Sequence, residues 1–159
     1  MVMTKFMNGD SSTQQEIEEY LFNKISEELG VKFEHNPTVY LNEEKTVYIK
    51  PDFYFKEEKK VGEIHTHKGR LKPAQRHKVA GDVLKMLLLD EVHSTEYEKY
   101  IVVCSDEEEK QLKGSSHLAF TLKTFGIKVK KITLPEELDI KLEETMKNQD
   151  MYGKGTENG

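Results

Sequence analysis

The sequence predicts an α/β fold in which helices flank a central mixed sheet, and three observations predict it. Apolar residues recur at helical spacing after residue 12 and again after Pro73. Between them, residues 31–67 form a series of short segments rich in aromatic and β-favouring residues. Residues 99–104 are a continuous apolar run, which is typical of a strand buried on both faces. The predicted order is α, a β meander, α, β, α, β, and a sheet with helices on its faces accommodates it.

The first helix is predicted from apolar residues four positions apart. These are Ile17, Leu21, Ile25 and Leu29. Gly30 provides a stop, and Thr13 with Glu16, or Ser12 with Gln15, has the spacing of a capping box at the start. Residues 1–11 are predicted to be a flexible N-terminus.

Two longer strands follow the short segments at 31–35 and 38–41, and they are predicted to form a hairpin. The first covers residues 48–55, the second 61–67, and the polar turn between them is too short for a crossover. Because side chains alternate along a strand, Glu63, His65 and His67 point to one face. Asp52 joins that face if the loop holds an even number of residues, for example the four at 57–60, whereas a one-residue slip separates them.

The rest of the chain is predicted to alternate between helices and strands. Pro73 suits the first turn of a helix that extends to about residue 89. A strand at 99–104 precedes a helical stretch at 106–125, interrupted at Gly114 and capped again by Ser115 or Ser116. A strand at 127–132 and a helix at 134–146 complete a single domain, 12–146, and residues 147–159 have the composition of a disordered tail.

The composition is that of a soluble globular protein. With 159 residues, 36% apolar and 33% charged, the chain has length for one ordinary core. Its longest apolar run, residues 86–89, is too short to span a bilayer, and the N-terminus lacks the pattern of a signal peptide. The single cysteine, Cys104, excludes an internal disulfide. We therefore expect a cytoplasmic protein with no membrane contact.

Charge is distributed unevenly along the chain. The formal net charge is −5, yet residues 56–78 hold eight Lys or Arg against three acids, a net of +5. The basic segment thus coincides with the Asp, Glu and His residues of the hairpin, as an anionic substrate would require. The alternative is a solvated, lysine-rich turn beside an exposed helix start.

The hairpin also carries a set of oxygen donors. The carboxylates of Asp52 and Glu63, together with the backbone carbonyl of Ile64, form an all-oxygen cluster suited to a hard cation such as Mg²⁺ or Mn²⁺. Such an ion lowers the pKa of a bound water and bridges a phosphate oxygen, which are the two requirements of phosphodiester hydrolysis.

These residues resemble a known nuclease motif. Pro51-Asp52, ten intervening residues and Glu63-Ile64-His65, in this order of elements, resemble the core of the PD-(D/E)XK nuclease superfamily over about residues 13–134. The resemblance implies a restriction-endonuclease-like αβββαβ core in which Asp52 and Glu63 ligate the metal. It also implies that the residue two positions after Glu63 assists the water or the phosphate. That residue is usually lysine in the superfamily, and here it is His65, which lacks a fixed positive charge near pH 7.

The resemblance implies further site residues. Lys68 or Lys78 is expected to replace the missing charge, and Gln75 with Lys78, on one face of the following helix, to contact the site. An acid on the first helix has its counterpart in Glu16 or Glu19. The expected substrate-binding residues are Lys68, Arg70, Lys72, Gln75 and Lys78.

Several functions are compatible with this pattern. The first is a divalent-metal-dependent DNA endonuclease, and the second is a catalytically impaired nucleic-acid-binding or regulatory subunit of the same fold. A third is a transition-metal site built from Glu63, His65 and His67. A polar hairpin face without chemistry is the fourth. The choice of DNA or RNA, the specificity and the oligomeric state, a homodimer included, stay open at this point.

Overall fold

The computed structural model describes the backbone of residues 2–157 and the side chains of residues 12–149. Its helices are α1 (Val2–Leu29), α2 (Pro73–His93), α3 (Asp106–Leu112), α4 (His117–Thr124) and α5 (Glu136–Glu157). Its strands are β1 (Glu34–His35), β2 (Val39–Tyr40), β3 (Tyr48–Ile49), β4 (Phe53–Phe55), β5 (Lys60–Ile64), β6 (Glu98–Val103) and β7 (Lys128–Lys131). The predicted α/β class with a central mixed sheet is confirmed.

The main sheet has five strands in the order β1-β4-β5-β6-β7. Pairing is antiparallel from β1 through β4 to β5 and parallel from β5 through β6 to β7. The connection from β5 to β6 contains α2, and the one from β6 to β7 contains α3 and α4, because parallel neighbours need a crossover. Strand β5 therefore joins the antiparallel and parallel halves of the sheet.

Two apolar layers enclose the sheet. On one face, Val61 and Ile101 pack with Val83 and Met86 of α2. On the other face, Phe53 packs with α1 and α5. The buried positions of α1 are Ile17, Leu21 and Ile25, as their spacing predicts. Side chains at even and odd positions of β5 thus belong to different layers.

The predicted single strand at 48–55 is wrong in one respect. Pro51 and Asp52 lie between two short strands, β3 and β4. Strand β3 pairs with β2 in a separate two-stranded sheet, whereas β4 lies in the main sheet. A proline has no N–H to donate to a ladder, which explains a break at this position.

The ends of several elements also differ from the prediction. Helix α1 begins at Val2, so Thr13 lies inside the helix rather than at a capping box. Strand β5 ends at Ile64, and His67 lies beyond it. Ser116 caps α4, as one of the two predicted alternatives, by accepting a hydrogen bond from the N–H of Ala119. Side chains are not described for residues 1–11 and 150–159, which include the predicted flexible N-terminus and most of the predicted tail at 147–159.

Within the described residues, no helix has both the length and the apolar composition needed to cross a bilayer.

Candidate active site

The hairpin places Asp52 directly opposite Glu63. Phe53 pairs with Gly62 and Phe55 with Lys60, so the loop consists of the four residues 56–59. This is an even number, as the shared face requires, although the predicted loop was one residue further along the chain. The two carboxyl groups are hydrogen-bonded to each other. The backbone N–H of Ile64 donates to Asp52 Oδ2 at 2.7 Å and fixes the position of that carboxylate.

Burial makes the charge of Glu63 unfavourable. Its relative exposure is 4%. Burial first, and then the charge and hydrogen bond of Asp52, raise its pKa to about 9. Asp82 contributes in the same direction, whereas Lys85 opposes it. At neutral pH the Asp52–Glu63 pair therefore holds a proton.

His65 binds Asp82 rather than the carboxyl pair. Its backbone N–H donates to the carbonyl of Val102 at 2.9 Å, which continues the ladder beyond the end of β5. Its ring Nε2 lies 3.1 Å from Asp82 Oδ2 in α2. Burial would raise the pKa of Asp82, but its interactions with His65 and Lys85 outweigh burial and lower that pKa. Asp82 is thus the close polar neighbour of the imidazole, although the contact does not have the geometry of a hydrogen bond.

A lysine that the sequence prediction missed reaches the carboxyl pair from α2. Lys85 Nζ lies 3.2 Å from Glu63 Oε1 and 3.0 Å from Asp82 Oδ1. Burial would lower the pKa of Lys85, but the charges of Glu63 and Asp82 outweigh it and raise that pKa. A sequence signal existed, because Asp82 and Lys85 stand three residues apart at the edge of the apolar face of α2.

The two predicted replacements for the missing lysine charge do not contact the pair. Lys68 Nζ binds Asp139 Oδ2 at 2.8 Å and lies 3.6 Å from Glu143 Oε2, both on α5. Lys78 lines a different cavity, which also includes His65. The lysine at the site is therefore Lys85.

The acid on the first helix is Glu18 and not the predicted Glu16 or Glu19. Glu18 is hydrogen-bonded to Asp52. Burial first, and then the charge of Asp52, raise the pKa of Glu18. Glu16 is exposed and lies 3.4 Å from Lys141 Nζ, and Glu19 is also exposed. The helical phase explains the correction, since Glu18 follows the buried Ile17 at the edge of the apolar face.

The predicted substrate-binding residues lie around the end of β5. Arg70 is exposed in the loop that precedes α2. Gln75 accepts a hydrogen bond from the N–H of Lys72 at 2.7 Å and lines the same cavity as Lys78. The basic segment divides in space, because the lysines of the hairpin turn flank the opposite end of β5 from Glu63. These turn lysines are Lys56, Lys59 and Lys60.

The donor set at the pair has the chemistry of a hard-cation site. Mg²⁺ is commonly held by one or two carboxylates with water completing its shell. The carboxyl groups of Asp52 and Glu63 and the carbonyl of Ile64 are donors of that kind. Among the side chains of residues 12–149, no three His, Cys, Asp or Glu groups converge on a metal position. The transition-metal alternative needs such a convergence of Glu63, His65 and His67, and these residues do not provide it.

The fold and site define an α/β protein with a carboxyl pair, buried at Glu63 and half-buried at Asp52, at the junction of the two halves of its sheet. Comparisons with protein-family models, with curated proteins and with solved structures found no match to this chain.

Proposed function

We propose that this chain is a divalent-metal-dependent phosphodiester hydrolase that acts on DNA as an endonuclease. In this proposal the central sheet is the restriction-endonuclease-like core that the sequence motif implies, and Asp52 and Glu63 hold Mg²⁺ or Mn²⁺. The observation that carries the proposal is the hydrogen-bonded carboxyl pair with a lysine ammonium 3.2 Å from Glu63.

The charge balance of the site supports this function. Two facing carboxyl groups repel each other when both are ionised, and a cation bound between them removes that repulsion. Bound there, the cation would polarise the phosphate and lower the pKa of a water ligand. Lys85 supplies the fixed positive charge that the superfamily usually places at the position of His65, and α2 rather than β5 delivers it.

His65 and its partner have a distinct role in the proposal. The Asp82 carboxylate lies 3.1 Å from Nε2 of the imidazole, and in this proposal it orients the ring, as a carboxylate orients the histidine of many hydrolytic sites. His65 then accepts the proton of the attacking water, or the Lys85 ammonium places that water against the phosphate. The exposed Arg70 and the neighbouring basic loop contact the DNA backbone.

The test is metal-dependent nicking of supercoiled plasmid by the purified chain. Wild type is expected to nick DNA with Mg²⁺ or Mn²⁺ and not with EDTA, and Asp52→Asn and Glu63→Gln are expected to abolish nicking. Glu19→Gln, an exposed acid on α1, is the matched control and should nick as wild type does. Cleavage that persists in both site variants would refute the proposal.

Lys85 provides a second, sharper test. Lys85→Met is expected to lower the nicking rate by about a hundredfold to a thousandfold, the range for loss of one group that stabilises the charge of a transition state. Lys85→Arg, which keeps the charge, should recover part of that loss. Equal rates in wild type and Lys85→Met would show that the lysine has no part in the reaction.

A second candidate function is a catalytically impaired nucleic-acid-binding or regulatory subunit of the same fold. The observation that favours it is that both side chains proposed to assist the water already have acidic partners. His65 lies beside Asp82, and Lys85 binds Glu63 and Asp82. This candidate predicts salt-sensitive DNA binding without cleavage in any divalent cation.

A further inference from the structure

His65 also lines a cavity, and Asp82 is not among the residues that line it. The cavity has a volume of about 270 Å³ and is lined by α1, the segment after β5, the first turns of α2, and α5. We call it the His65 cavity and define it by Gln14, His65, His67, Lys78, Leu142 and Met146. The hydrolysis proposed for the carboxyl pair assigns no occupant to this space.

His65 connects the cavity to the carboxyl pair. The imidazole binds Asp82 through Nε2, and Asp82 shares Lys85 with Glu63. The same side chain, 4% exposed, is part of the cavity wall. A group bound in the cavity would therefore contact His65, and through His65 it would neighbour the site that the proposed function assigns to the phosphodiester.

The cavity walls combine apolar surfaces with neutral hydrogen-bonding groups. Leu142 and Met146 of α5 supply apolar surface. Gln14 and Gln75 supply side-chain amides, and Thr145, 7% exposed, supplies a hydroxyl. Amides and hydroxyls pair with the donor and acceptor edge of a nucleobase, and aliphatic side chains with imidazole rings cover its faces.

The charge and size of the cavity favour a base over a phosphate or a base pair. Lys78 is the one Lys or Arg among the residues that line the described cavity, and its side chain is exposed. A phosphate pocket would gather several cations, whereas one exposed lysine suits the phosphate that follows a buried base. About 270 Å³ is just below the usual range of volumes of small-ligand sites, which suits a ligand as small as one base.

We propose that the His65 cavity binds one unstacked nucleobase, so that the substrate is DNA with an unpaired nucleotide beside the scissile phosphate. This inference rests on the proposed function and adds the class of DNA on which it acts. Extracting a base from a duplex costs a few kcal/mol, and the cost is least for a base that is already unpaired. Single-nucleotide bulges, flaps and single-stranded ends therefore bind better than continuous duplex.

The test compares the affinity of two fluorescein-labelled duplexes, measured by fluorescence anisotropy in EDTA so that cleavage does not interfere. One duplex is fully paired, and the other carries a single-nucleotide bulge. Wild type is expected to bind the bulged duplex at least about tenfold more tightly, because each tenfold corresponds to about 1.4 kcal/mol of the unstacking cost.

Variants that fill the cavity locate the effect. Ala74 is exposed on the first turn of α2 and lines the cavity, so Ala74→Phe should bring the affinity ratio close to one. Ala80→Phe, at an exposed position of the same helix outside the cavity lining, is the control and should leave the ratio unchanged. Gln14→Tyr fills the cavity from α1 and provides a second variant, and circular dichroism checks that each variant is folded.

The outcomes separate this inference from the proposed function. Equal affinities in wild type, no binding to either duplex, or a ratio that survives both Ala74→Phe and Gln14→Tyr would overturn the inference. Retained preference for the bulge, without cleavage of either duplex in Mg²⁺ or Mn²⁺, would refute the hydrolase and leave the base-binding cavity standing. If wild type cleaves DNA, Asp52→Asn does not, and wild type binds the two duplexes with equal affinity, the hydrolase stands and the base-binding cavity is refuted.

Discussion

Glu63→Gln is expected to stabilise the fold at neutral and alkaline pH while it abolishes the proposed cleavage. Glu63 is buried against Asp52, and its pKa is raised to about 9 from an ordinary value of 4.5. A glutamine has nearly the same shape, cannot ionise, and can donate a hydrogen bond to Asp52 as the protonated acid does. Its side chain therefore keeps the neutral state that the folded protein favours.

The sign and size of the effect follow from proton linkage. Below pH 4.5 Glu63 is protonated in both the folded and the unfolded protein. Its full contribution to the free energy of unfolding is therefore present. Between pH 4.5 and 9 the unfolded chain releases a proton that the folded protein retains, so the free energy of unfolding falls as pH rises. From 4.5 to pH 7 this loss amounts to about 3 kcal/mol at about 1.4 kcal/mol per pH unit. The stability of Glu63→Gln relative to wild type should increase by up to that amount over the same interval.

Urea denaturation followed by circular dichroism at pH 5, 7 and 8.5, with EDTA present, measures the difference. The sequence contains no tryptophan, so the helical signal is the better probe. Glu16→Gln is the control, because Glu16 is exposed and its contact with Lys141 lies at the surface. Parallel curves of stability against pH for wild type and Glu63→Gln would refute the argument that burial beside Asp52 raises this pKa.

Three further predictions concern the structure around the site. Gly62→Ala should lower the free energy of unfolding by about 1–3 kcal/mol, because an added Cβ would lie 2.0 Å from Phe53 Cζ. Phe53→Leu should restore part of the loss in thermal denaturation, and a Gly62→Ala melting temperature equal to that of wild type would contradict the clash. Glu108 is fully buried, which raises its pKa to about 8 from 4.5, so Glu108→Gln should flatten the fall in melting temperature between pH 5 and 8; an unchanged fall would disprove this. Lys99 is 3% exposed and binds Asp90. Lys99→Met should therefore lower the free energy of unfolding, measured in urea, by about 3 kcal/mol. Recovery of that loss when Asp90→Asn is added would identify the unpaired acid as the cause.

The alternation of the hairpin was readable from sequence because it is local. Side chains alternate with a period of two, and the loop of four residues preserves parity, so Asp52 and Glu63 meet as predicted. The same alternation placed His65 on the face of Glu63. The alternation could not show that the imidazole lies beside Asp82, because that carboxylate belongs to α2 and stands 17 positions further along the chain.

The predictions failed where a helix had to be positioned against the sheet. The resemblance implies Glu16 or Glu19 as the acid of the first helix, yet the packing of Ile17 and Leu21 turns Glu18 towards Asp52. Helical spacing identifies the buried face of a helix, but the neighbour of each residue at its edge depends on how the helix crosses the sheet.

The sequence by itself determined the α/β class, the hairpin and the facing pair of acids, because periodicity and short loops act over a few residues. Only the tertiary structure decided which cation stands beside that pair. Lys85 reaches Glu63 through the packing of α2, and Lys68 is held by α5 instead. Ion pairs between distant segments depend on distances of a few ångströms between side chains, and those distances are set when the helices dock on the sheet.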